Sequence, residues 1–307
     1  MKMHCTPRNA KGLAGVCCGL SLAFLSVSSL TGCGKLESGA HAEPSVRIKL
    51  VEIPGTPKDA GGSSGNSGNT ETPVAASGAA GTFFGRVIFK GAAPSPKVMY
   101  AKGKAPKESD VCSASGDIMV EDLVIGADNG IANVFIYLDK PPKGYNKAAP
   151  PKDPIPFDQK NCTFLTRALI CQVGQPVQII NDDDVPHNTK NFPLKNDQFS
   201  PTIGKKDRVG STVVYKKAEN KPVGVKCDFH AWMSAYHLPI DHPFGAVTDK
   251  DGNFKIENLP PGDHVFKIWH EKAEGGKGGY LESKYKVTVK GEMKSVDIPE
   301  DAAKFGL

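Results

Sequence analysis

The chain has 307 residues, enough for one to three domains, and a net charge of +5. Three of those charges, Lys2, Arg8 and Lys11, lie in the first eleven residues, so the remainder is close to neutral and the composition excludes a nucleic-acid-binding protein. With Gly 33, Pro 24 and no sustained helix-period run, it points to strands and loops.

In chain order, residues 1–32 read as an export signal. A basic stretch precedes "GLAGVCCGLSLAFLSVSSL", which is apolar but too interrupted by Ser and Gly to favour a spanning helix. The following "LTGC", Leu30 to Cys33, resembles the bacterial lipobox. That resemblance implies cleavage before Cys33, lipidation of its thiol, and an exported protein held at the periplasmic or cell-surface face of a membrane. An ordinary signal peptide with an incidental Cys is the alternative. Residues 33–80 are expected to be a flexible tether. "DAGGSSGNSGNTETPVAASGAAG" holds almost no large apolar residue and cannot bury a core, although "VRIKLVEI" interrupts it as a short strand candidate. Export permits disulfides. Cys112 and Cys162 sit in polar, loop-like contexts, whereas Cys171 lies in the apolar run "ALICQV". A Cys112–Cys162 disulfide with Cys171 buried and free is therefore expected.

Strand signals begin at "GTFFGRVIFKG" and continue through "ANVFIYLD", "QPVQIIND" and "STVVYKK". "GAVTDKDGNFKIENLPPGDHVFKIWHE" reads as further strands around turns at "DKDG" and "LPPG", and "SKYKVTVKG" alternates with period two. An all-β sandwich protein follows. The run "PPKGYNKAAPPKDPIP" cannot sit inside a sheet, yet it lies in the middle of the β region, so it reads as a crossing between domains. "DKDGN" has acidic spacing but lacks a full calcium loop, so it reads as a hairpin turn. Asp182, Asp183 and Asp184 read as a solvated turn.

In "CDFHAWM" a thiol, an imidazole and a thioether recur every three residues: Cys227, His230 and Met233. Such donors suit copper, whose +1 state favours sulfur and whose +2 state favours nitrogen. Zinc is the rival, but its sites seldom use Met. The missing partner lies upstream in "INDDDVPHNTKNF", where His187 follows a strand and Pro186. In a Greek-key sandwich, loops from distant strands meet at one end.

These residues resemble the cupredoxins, the type 1 blue copper proteins. The Pro-His-Asn of residues 186–188 and the Cys-x-x-His-x-x-Met of residues 227–233 match their pattern, with amicyanin-like spacing. The resemblance implies one type 1 copper held by His187, Cys227, His230 and Met233. It implies that Asn188 ties the two ligand loops together, and that His230 lies near the surface as the port for electrons. Phe229, Trp232 and Phe244 are expected to exclude water.

The flanking "GRVIFKGAAP", "IANVFIYL" and "AVTDKDGNFKIENLPPGDHVFKIWHE" resemble the carboxypeptidase-regulatory-like (transthyretin-like) β-sandwich. Their order implies that residues 82–150 and 243–300 form that sandwich, with a cupredoxin domain inserted at 155–242. The whole pattern resembles exported bacterial proteins of the methylamine-utilisation or cupredoxin-like kind. His237, His242, His264 and His270 are left over, with His242 and His270 as a candidate second site or as hydrogen-bonded imidazoles. The expected function is electron transfer rather than catalysis. The partners it implies are redox proteins, such as a c-type cytochrome or a membrane oxidoreductase. Copper delivery or storage is one alternative, and a surface adhesion or carbohydrate-binding module is another.

Overall fold

The computed structural model describes residues 79–291 and 295–307. The expected signal peptide, Cys33, nearly all of the tether and the "VRIKLVEI" run lie outside the described residues. Within them the long elements are strands, and the helical pieces are single turns of three or four residues. The architecture is all-β.

The ends of the described chain build an outer sandwich. Gly81–Lys90 pairs antiparallel with Asn253–Leu259 and parallel with Val296–Asp301. Every second residue of Gly81–Lys90 is buried, as one face against a core requires. Facing this sheet is a four-stranded one, ordered Gly245–Val247, Phe135–Leu138, Gly262–His270, Gly279–Val289. Phe83, Val87, Ile136, Phe254, Phe266 and Ile268 fill the space between. Each large apolar side chain buried there stabilises the fold by roughly 1.5–3 kcal/mol. Neither "DKDG" nor "LPPG" closes a hairpin within one sheet. Both carry the chain from one layer of this sandwich to the other. The "DKDG" turn is tight because Asp249 Oδ1 accepts from the N–H groups of both Asp251 and Asn253, each at 2.9 Å.

Residues 155–240 fold as an inner sandwich. One sheet runs Lys190–Asn191, Val223–Lys226, Ser234–Ile240, Ala168–Gln172. The other runs Ser211–Val214, Pro176–Asn181, Ile155–Lys160, Thr163–Phe164. Phe157, Leu169, Val177, Ile179, Val225 and Ala235 lie in their shared core.

The two sandwiches stack. Along Ser234–Ile240, Ala235 faces the inner core, while Leu238 and Ile240 pack against Phe135, Tyr137 and Trp269 of the outer sandwich. Phe135–Leu138 is likewise buried on both faces, with Ile136 and Leu138 in the outer core and Phe135 and Tyr137 at the junction. That is why "VFIYL" reads as an unbroken apolar run. Arg167 donates two hydrogen bonds to Glu271 across the junction, one of them at 2.7 Å from Nη2. The return crossing is short, with residues 241–244 separating Ser234–Ile240 from Gly245–Val247.

One stretch departs from the expected division. Residues 98–119 belong by sequence to the first outer segment, yet Ala105, Cys112 and Ile118 are buried in the inner core. The stretch is a two-stranded ribbon, Val98–Tyr100 with Ile118–Met119, joined through the helical turn Ser109–Cys112.

Candidate metal centre

Cys227–Met233 is the loop that joins two antiparallel strands whose last paired residues are Lys226 and Ser234. Met233 N–H donates to the His230 carbonyl at 2.9 Å, and Cys227 N–H donates to the Met233 carbonyl at 3.3 Å. This winds the loop tightly and turns Cys227 and His230 inward. His187 comes from the short strand His187–Asn188, which pairs with Thr202–Ile203. Asn188 bridges the two loops: its Oδ1 accepts from Asp228 N–H at 2.6 Å, and its Nδ2 donates to Asp228 Oδ2 and Ser200 Oγ, each at 2.9 Å.

Donor atoms of His187, Cys227 and His230 all lie within 4.8 Å of one another, and all three residues are buried. The Nδ1 atoms of the two imidazoles face each other at 3.0 Å, and Cys227 Sγ lies 3.9 Å from His230 Nδ1. Each Nε2 is held from behind by a carboxylate, that of His187 by Asp183 Oδ2 at 2.8 Å and that of His230 by Glu108 Oε2 at 3.0 Å. A neutral imidazole that donates from Nε2 carries a lone pair on Nδ1. With each ring in that tautomer, two lone pairs point at each other beside a thiol, in a buried space. A cation resolves that arrangement, and the two nitrogens and one sulfur are the donors copper takes in both its oxidation states. Met233 is buried in the same core cluster as Cys227.

The electrostatics agree with a metal-ready thiol. Burial opposes ionisation of Cys227, but the neighbouring His187 and His230 rings and the backbone N–H groups of Asn188 and His230 outweigh it and lower the thiol to about 6. For His187, burial disfavours the charged ring, yet Asp183 and Cys227 raise it above the ordinary value. Burial pushes the Asp183 carboxyl up, and His187 together with the N–H groups of Cys162 and Asn161 more than offsets this.

Several sequence expectations change. His230 is 1% exposed, so its ring is not at the surface. Glu108 covers it. Phe229 is 38% exposed. Phe244 packs in the outer core against Tyr145, away from the ligands. Trp232 does stand by the site, with its ring 5.1 Å from that of His230 and its indole N–H donating to the Cys162 carbonyl at 3.0 Å. Asp183 is buried behind His187, so the acidic run is not wholly a solvated turn. Cys112 and Cys162 form a disulfide, and Cys171 and Cys227 are free and buried. His242 and His270 each bond to separate backbone groups, Leu138 O and Phe244 N for the first and Lys272 N for the second. His237 Nδ1 and Tyr215 OH share a hydrogen bond at 3.0 Å in the inner core, and His264 bonds to the Pro260 carbonyl. Glu108 went unread in the sequence. The one signal for it was its position four residues before Cys112, whose expected partner Cys162 lies in the inner domain.

No protein-family model matches the chain, and no curated protein matches it in sequence. Among solved structures, it resembles a copper-containing nitrite reductase from Thermus scotoductus at 18% identity and a TM-score of 0.27, over 34% of this chain and 26% of that one. The match thus spans about a quarter of that enzyme's length. A reduced, copper(I) amicyanin variant is similar at 19% identity and a TM-score of 0.26, over 35% of this chain and 98% of its own. A purple cupredoxin from Nitrosopumilus maritimus follows at 22% identity and a TM-score of 0.23, over 29% of this chain and 99% of its own.

Proposed function

We propose that the inner sandwich holds one type 1 copper ion and that the protein carries single electrons. The observation that carries this reading is the pair of imidazole Nδ1 atoms 3.0 Å apart beside the Cys227 thiol, each imidazole held from behind by a carboxylate. Copper in this donor set supplies a one-electron couple. His187 and His230 would hold it through Nδ1, Cys227 as thiolate, and Met233 as a weaker thioether donor. Asp183 and Glu108 fix the ring tautomers, and the Asn188 bridge keeps the two ligand loops at one spacing, so little of the protein must rearrange when the charge changes.

Burial of the ligands favours a carrier over a delivery protein, which must release its metal to a partner. Cys33 and the N-terminal signal support a lipid anchor at a membrane face, with a c-type cytochrome or membrane oxidoreductase as partner. Detergent partitioning is expected to move from the detergent phase to water in Cys33→Ser, and equal partitioning rules the anchor out. The visible spectrum of the copper-loaded protein tests the site. An intense thiolate-to-copper(II) band is expected, lost in Cys227→Ser. In Met233→Leu the band is expected to persist and the potential to rise, because a weak donor that would favour the oxidised metal is gone. A colourless copper(II) complex of the wild type refutes the reading.

A further inference from the structure

All three donors come from the inner sandwich, on the His187–Asn188 strand and in the Cys227–Met233 loop, and the stretch 98–119 supplies none of them. It nevertheless lies over them. The disulfide joins Cys112 to Cys162, and a ring nitrogen of His230 lies within 4.8 Å of both sulfurs. Lys107 Nζ donates to the Phe229 carbonyl at 2.9 Å, on the residue preceding His230. Tyr100 meets Trp232 edge-on at 5.4 Å, and Trp232 in turn stands beside His230. Between these anchors Glu108 reaches His230 Nε2 at 3.0 Å. Its backbone is left-handed, at φ 39 and ψ 48, a region that side-chain-bearing residues seldom enter. The chain therefore turns sharply at the residue whose carboxylate covers the imidazole.

We propose that residues 98–119 are a cap that closes the His230 side of the metal centre, with Glu108 as the positioning residue. The Glu108 carboxylate accepts the Nε2–H of His230, which leaves Nδ1 as the free donor facing Cys227 and His187. The disulfide pins the cap in place. The His230 edge is then not a bare contact for a redox partner, and electrons cross through the cap. A carboxylate one hydrogen bond behind a ligand also makes the imidazole a better donor and favours the more positive metal state. The effect on the metal rests on the copper reading above, whereas the cap itself does not.

The test uses the full chain in two forms. In the metal-free protein, iodoacetamide alkylation of Cys227 is followed at a pH where the thiol is ionised in every variant. Glu108→Ala is expected to react at least about tenfold faster than wild type, and Glu108→Gln, which keeps an acceptor for Nε2–H, close to the wild-type rate. Imidazole nitrogen chemical shifts should show His230 as the Nε2–H tautomer in wild type and a tautomer mixture in Glu108→Ala, a change that loosened packing alone would not produce. In the copper-loaded protein, Glu108→Gln should have a higher midpoint potential than wild type. Equal alkylation rates and equal tautomers in wild type and Glu108→Ala overturn the cap, and an unchanged potential in Glu108→Gln overturns the electronic role. If Glu108→Ala alkylates faster while copper-loaded wild type is colourless, the cap stands and the copper reading falls.

Discussion

Asp183 shows how much one side chain does at this site. Its two oxygens serve three donors: Oδ1 takes Asn161 N–H at 2.6 Å, and Oδ2 takes Cys162 N–H and His187 Nε2 at 2.8 Å each. Asn161 and Cys162 both have left-handed backbones, at φ 52 and φ 51, so Asp183 stabilises a turn that would otherwise be unfavourable. The same carboxylate thus fixes the disulfide-bearing turn and a metal ligand. Asp183→Ala is expected to lower stability by about 1–3 kcal/mol, because buried donors lose their acceptor. Copper affinity should fall by roughly 10–100-fold. Denaturant unfolding and a copper competition titration read the two effects separately. Asp183→Asn should retain part of the stability, since its amide oxygen still accepts, and lose most of the charge effect.

At the scale of the element, Ser234–Ile240 links the site to the fold. It leaves the ligand loop at Met233, pairs antiparallel with Val223–Lys226 and parallel with Ala168–Gln172, and divides its side chains between two cores. His237 points into the inner core, with its ring 4.5 Å from that of Phe157. Burial alone pushes its imidazole down to about 3. In the unfolded chain the same group titrates near 6.5. Between those two values the unfolded state binds a proton that the folded state does not. Stability is therefore full above about pH 6.5 and falls as the pH drops toward 3, by at most about 1.4 kcal/mol per pH unit for this residue. His270, which burial pushes down to about 4, adds in the same direction over a narrower range. Urea unfolding at pH 7 and pH 5 should show a lower midpoint in acid, and His237→Gln should lose less stability between the two. An equal loss in the variant means that other groups carry the acid sensitivity.

For the whole molecule, the junction between the sandwiches is mostly apolar, but the Tyr137 and Tyr280 hydroxyls donate to the Asn220 carbonyl, and Arg167 pairs with the buried Glu271 and the more exposed Glu121. Arg167 lies between two strands of the inner sandwich, and Glu271 follows the strand Gly262–His270 of the outer one. Both are largely buried, at 12% and 8% side-chain exposure. Burial works against the charge on each. Glu271 pairing raises Arg167 overall, whereas burial keeps Glu271 above its ordinary value despite Arg167. Arg167→Met should cost about 3–5 kcal/mol, because it leaves a buried carboxylate without its partner, and Arg167→Met with Glu271→Leu should recover most of that loss. Thermal unfolding of the single and double variants decides it; a single variant as stable as wild type means the pair contributes nothing.

What the sequence determined by itself was local or periodic. Strand alternation, the absence of helix-length patterns, the Cys-x-x-His-x-x-Met run and the Pro-rich crossing are all set by residues a few positions apart, whose spacing fixes which side chains share a face. The polarity around Cys112, Cys162 and Cys171 carried the disulfide for the same reason. The tertiary structure decided what depends on distant segments meeting. Glu108 meets His230 across 122 positions, and in "KESDVC" only Cys112, through its expected disulfide with Cys162, signals that the chain folds over the other sandwich. Asp183 looked like one of three solvated acids because a charge run reads the same whether or not a buried imidazole waits beside one member. His230 was expected near the surface on the resemblance alone, and a segment from outside the inner sandwich lies against its Nε2 edge. Phe244 lies just beyond the ligand loop in sequence, but the four-residue crossing at 241–244 carries it into the other core.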